Sequence, residues 1–97
     1  MNLFAVIRTR GGAWQPSLPL ESQNEWDAHA AFMNALRKDG FIILGGPLED
    51  TPDVLLIIRA ATPDEIIDRF RGDPWTGLDL LHISRIAPWT LRLGSLP

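Results

Sequence analysis

Two stretches of this chain carry no polar residue: Leu3 to Ile7 and Val54 to Ile58. A strand with one wet face alternates apolar and polar side chains, because successive side chains point to opposite sides of the sheet. Neither stretch alternates. Each therefore reads as a strand whose two faces are both dry, and the fold must cover both sides of a sheet. A chain of 97 residues has material for one domain with one core, so residues 1–97 are taken as a single unit.

The segments between these runs are helical or looped. Arg8 to Ser22 holds Gly11, Gly12, Pro16 and Pro19, a density of breakers that excludes a regular element. Trp14 within it favours a lid, because a large aromatic residue in a loop needs something to cover. A helix then follows to Lys38. Ser22 to Glu25 fits a capping box, acids stand at its start and Arg37 and Lys38 at its end, and Gly40 supplies a left-handed stop. Phe41 to Leu44 reads as a strand that Gly45-Gly46-Pro47 terminates. Thr62-Pro63-Asp64-Glu65 opens a second helix with another capping box and an N1 proline, and Ile66, Ile67 and Phe70 form its apolar stripe. Leu78 to Ala87 reads as the last strand, and the structure of the tail 88–97 is left open.

The order strand–helix–strand–strand–helix–strand is that of the ferredoxin-like βαββαβ unit. This is an α+β fold, a four-stranded antiparallel sheet with two helices on one face. Two helices leave the second face bare. Full burial of each Val, Leu or Ile there stabilises by about 1.5–3 kcal/mol, so the expected cover is a second copy of the chain, a homodimer formed through the helix-free face.

Charge and composition narrow the function classes. A net charge of −3 gives no basic surface for nucleic acid or an anionic membrane. The chain has no cysteine, which removes disulfides, thiolate metal sites and a cysteine nucleophile and fits a cytoplasmic setting. No run approaches the roughly 20 apolar residues of a membrane span. No phosphate loop or nucleophile elbow is present. His29 and His82, with no third ligand at a fixed spacing, do not make a metal site, so neither metal nor cofactor is expected.

His29 is the residue to explain. It falls in the middle of the apolar side of the first helix, among Trp26, Phe32, Met33 and Leu36. An inward imidazole is either a core group bonded to a carbonyl or a general base. Asp73 is either the N-cap of a turn at Asp73-Pro74 or the carboxylate that fixes the His29 tautomer. Arg8, Arg59 and Arg85 stand at strand ends, where an anionic substrate could be clamped if they do not simply face solvent.

The helix carrying His29, the segment Phe41-Ile42-Ile43-Leu44-Gly45-Gly46-Pro47, the strand Val54 to Ala60 and the triplet Asp73-Pro74-Trp75 together resemble the YciI-like (YCII-related) family. The resemblance spans Leu3 to Trp89. It implies a dimeric α+β barrel in which His29 and Asp73 converge as an acid–base pair. The family's members and fold relatives include enzymes acting on small ring compounds. Arg8, Trp26, Phe32, Met33, Gly46, Pro47 and Trp75 are the candidate pocket residues around the pair. The expected function is thus a cofactor-independent, lyase- or isomerase-like enzyme on a small, largely apolar or aromatic substrate. The alternative is a non-catalytic small-molecule-binding or accessory module on the same dimer. An open cavity beside a bonded His29–Asp73 pair favours the enzyme; a sealed His29 satisfied by backbone favours the module.

Overall fold

The computed structural model describes residues 2–97. Its strands are β1 (Asn2–Arg10), β2 (Ile42–Pro47), β3 (Asp53–Ala60) and β4 (Leu81–Pro88). Its helices are α1 (Trp26–Lys38), α2 (Pro63–Phe70) and a one-turn α3 (Pro74–Gly77). The strands form one antiparallel sheet in the order β2-β3-β1-β4, the ferredoxin-like α+β arrangement. The two unbroken apolar runs are the two central strands. Both edges of each are paired, which is why neither needs the polar residues that protect an edge.

Register sorts the side chains. Phe4 faces Ile58 and Val6 faces Leu56 across β1 and β3. These four join Leu36 of α1 and Ile66 and Phe70 of α2 in the main core. The intervening Leu3, Ala5, Ile7, Leu55 and Ile57 point to the face without helices. The chain after β4 stays on the sheet: the Trp89 N–H donates to the Leu3 carbonyl. Its last residue, Pro97, reaches a hollow beside Asn34, Ile43 and Leu44 at the β2 edge. No helix among the described residues is long and apolar enough to cross a membrane.

The second helix is capped by Thr62 as read, but its reciprocal bond falls one residue early, on Ala61 rather than on the N-cap N–H. The Thr62 hydroxyl accepts from the Glu65 N–H at 3.2 Å, and the Glu65 carboxylate accepts from the Ala61 N–H at 2.7 Å. Gly40 takes φ +80° and ends α1.

Four expectations are corrected. The first strand does not end at Ile7: Arg8, Thr9 and Arg10, read as the start of a loop, find partners on β3 and β4 and extend β1. Ser22 does not cap α1. It closes a 3-10 turn at Leu20–Ser22, and the helix starts at Trp26 behind Glu25, which is left-handed at φ 58° and makes no side-chain cap. The cause is tertiary: the buried Gln23 amide bonds the Gln15 N–H, the Gln15 carbonyl and the Leu18 carbonyl, pinning the segment to the preceding loop. Gly45-Gly46-Pro47 does not end β2 but completes it. β2 is an edge strand, where a missing N–H costs no ladder bond, and a Cβ on Gly45 would collide with the Leu56 side chain. Finally, β4 starts at Leu81 rather than Leu78, because α3 and the turn after it occupy the residues before.

Candidate active site

The alternation that sends Phe4 and Val6 toward the helices continues to Arg8. At that end of the sheet the partner is not a hydrophobe but Asp73. Asp73 caps α3: its backbone is extended and its Oδ1 accepts from the Trp75 N–H at 3.0 Å, with Pro74 at the first helical position. Its Oδ2 accepts from Arg8 Nη1 at 2.7 Å. Both carboxylate oxygens lie 2.9 Å from His29 Nδ1. The two readings of Asp73 thus coincide in one side chain, at once an N-cap and the partner of His29.

Each member is held from several sides. Arg8 is fully buried. Its Nη2 donates to Thr76 Oγ1 at 3.1 Å and to the Leu81 carbonyl at 3.3 Å, and its guanidinium lies 4.7 Å from the Phe70 ring centre. The His29 ring stacks on Trp75 with centroids 3.7 Å apart and planes 4° from parallel. Trp75 is itself fixed by its Nε1–H, which donates to the Asn24 carbonyl at 2.6 Å.

Burial alone would push the Asp73 carboxyl upward. The hydrogen bonds from His29, Arg8 and the Trp75 N–H outweigh that and hold it below the usual carboxylate range. Burial pulls Arg8 below the ordinary arginine value, and Asp73 opposes the shift. An ionised carboxylate only accepts, so the proton of this contact sits on His29 Nδ1, and in the neutral ring Nε2 is the nitrogen left with a lone pair.

His29 opens onto a cavity of about 310 Å³, the lower end of the roughly 300–1,000 Å³ found for ligand pockets. Arg8, Trp26, Met33, Gly46, Pro47 and Trp75 all line it. Phe32 does not. It packs against Phe70, 6.3 Å between ring centres, in the main core, because α1 turns it one step past the cavity. Asp73 stands behind His29 rather than on the wall. The three arginines do not converge into a clamp: Arg8 is bonded to Asp73, while Arg59 and Arg85 pair with Leu3 and Ile7 on the helix-free face. His82 lies there too, opposite Thr9.

Trp14 and Arg10 are among the wall residues outside the expected pocket set. Trp14 meets Trp75 edge-on at 5.6 Å, and the Arg10 guanidinium lies 4.4 Å from the Trp14 ring centre. Their loop is tied to the α3–β4 corner by Gly12 N–H to Asp79 Oδ2 at 2.9 Å and Ala13 N–H to the Asp79 carbonyl at 3.1 Å. The available signal for Arg10 was the same alternation, four residues beyond Val6.

Residues 3–90 match the family described as YCII-related domain. Among solved structures, the chain is similar to a 5-chloro-2-hydroxyhydroquinone dehydrochlorinase from Burkholderia phenoliruptrix in complex with 2,5-dihydroxybenzoquinone. The two share 25% sequence identity over 95% of each chain, with a TM-score of 0.62. No functionally curated protein matches the sequence.

Proposed function

The chain belongs to the YCII-related domain family, and from that premise we propose that it is a cofactor-independent enzyme in which His29 moves a proton on a small, largely apolar or aromatic ring compound. The observation that carries the reading is the bond from His29 Nδ1 to Asp73 beside an open, mostly apolar cavity. His29 Nε2 takes a proton from a carbon or hydroxyl activated by a neighbouring carbonyl or phenol. The imidazolium so formed sits against the Asp73 carboxylate, which stabilises it without taking the proton itself. In an elimination, the electron pair left by the C–H bond forms the new double bond and the leaving group departs with its own pair. In an isomerisation, Nε2 returns the proton to another carbon. Trp75 fixes the plane of the imidazole, and the apolar walls exclude water.

The similar dehydrochlorinase supplies the first substrates to try. Chloride release from chlorinated hydroxyhydroquinones should be measurable for the wild-type chain, and His29→Gln should lower the rate by about 10²–10⁴-fold while the far-ultraviolet spectrum shows the fold intact. A folded His29→Gln variant with the wild-type rate would remove His29 from the chemistry.

We propose also that two copies pair through the helix-free face, where the half-buried Leu3, Ile7 and Leu55 form an apolar patch across the central strands. Sedimentation at micromolar concentration should give a dimer, and Ile7→Asp a monomer. A wild-type monomer would overturn the assembly without touching the site.

A further inference from the structure

The cavity wall carries three ionisable side chains, Arg8, Arg10 and His29, and no carboxylate. The charge of Arg8 is matched at 2.7 Å by Asp73. Arg10 has no ion-pair partner among the described residues. Glu49 and Asp50 border the shallow hollow on its other side, yet neither pairs with it. The wall therefore presents one uncompensated positive charge.

That charge is held in place. The Arg10 backbone N–H donates to the Pro52 carbonyl at 3.0 Å, fixing the chain from which the side chain springs. The guanidinium lies over Trp14, Trp14 meets Trp75 edge-on, and Trp75 stacks on His29. A guanidinium stacked by its face keeps its N–H edge free, and that planar fork matches a carboxylate. A cationic ligand among the tryptophans fits less well: it would share the cavity with two arginines, and Trp75 already gives a face to His29.

From this placement we infer that Arg10 reads a negative group on the ligand, and that the cavity takes a monocyclic compound bearing one carboxylate. The inference rests on the proposed reading of the cavity as the substrate site and names the class of compound it accepts. Arg10 is then the specificity-determining residue at one side of the ring, and His29 faces the ring from another.

Two probes of equal size separate the possibilities: 4-hydroxybenzoate and 4-hydroxybenzamide, titrated by tryptophan fluorescence, with binding localised by the His29 imidazole signals in NMR. The wild-type chain should bind the acid at least tenfold more tightly than the amide. Arg10→Gln should bring the two within about threefold. Lys38→Gln, which removes the same charge from an exposed position on α1, should keep the wild-type preference. Acid and amide binding alike to the wild type, or a preference for the acid that survives in Arg10→Gln, overturns the inference and leaves the cavity as a ligand site. If neither probe shifts the His29 signals, both the inference and the reading beneath it fall.

Discussion

Along β1, Phe4 and Val6 point toward the helices near one end of the sheet and Arg8 near the other, and none of the three is more than 3% exposed. Phe4 and Val6 lie in a core with Leu36, Ile66 and Phe70. Arg8 lies among Asp73, Thr76 and the Leu81 carbonyl. The burial is equal and the chemistry opposite. At the core end every local rule agrees with the fold: strand runs are apolar, α2 is capped, and Gly40 sits where a left-handed stop is needed. At the site end several rules are broken together. A charge pair is buried, Glu25 is left-handed with no cap, and a long loop is pinned over the sheet. Such concentration of local violations in one region marks structure kept for something other than stability.

The largest expected effect tests that claim directly. Asp73→Asn keeps an acceptor for the Trp75 N–H but strands the Arg8 charge in the interior. Urea unfolding should show a loss of about 3–5 kcal/mol. Arg8→Met combined with Asp73→Asn removes both charges and should recover at least half of that loss, since a buried pair is often replaceable by apolar groups at little cost. A double variant as unstable as Asp73→Asn would mean that the ion pair itself supports the fold, and the contrast between the two ends would fail.

Acid separates the ends by sign. The folded Asp73 carboxyl lies below its unfolded value, which is near 3.9 in model peptides. Its contribution to stability is therefore fully present above about pH 4–5 and is lost as pH falls through the folded value. The wild type should lose stability relative to the double variant as pH falls below about 5, where Asp73 takes up its proton. At the core end, Ile66→Val should cost about 0.5–1.5 kcal/mol, with the same cost at every pH at which the protein is folded.

The two ends also differ in how far they could be read from the sequence. The central strands, both main helices and their order were legible because the apolar runs, the period of α1 and the Thr62 box each state a local preference that the fold obeys. Asp73 was legible as a cap for the same reason. The role of Arg8 was not. Ending the first strand at Ile7 hid that Arg8 continues the inward alternation of Phe4 and Val6, and a buried arginine is recognisable only once its carboxylate is placed beside it. Pro47 misled in the opposite direction: it signals a strand end unless the strand is known to be at an edge, and edge position is a property of the whole sheet. Phe32 and Met33 are neighbours on α1, yet only Met33 reaches the cavity, a distinction of a single step around the helix.

The smallest effects concern the two helix starts, which look alike as sequence. Thr62→Ala should cost about 1 kcal/mol, the usual value of a working N-cap, because its hydroxyl accepts from the Glu65 N–H. Ser22→Ala should stay within about 0.5 kcal/mol, because α1 begins four residues later with no side-chain cap. What holds that end of α1 is Gln23, whose buried amide makes three bonds to the loop. Gln23→Ala leaves those loop groups unpaired and should cost about 1–3 kcal/mol. Thermal melts of the three variants rank the alternatives. If Ser22→Ala falls as far as Thr62→Ala, α1 is capped locally like α2. If Gln23→Ala falls furthest, the helix that presents His29 is set in place by the loop over the cavity, and a change in that loop reaches the imidazole without touching it.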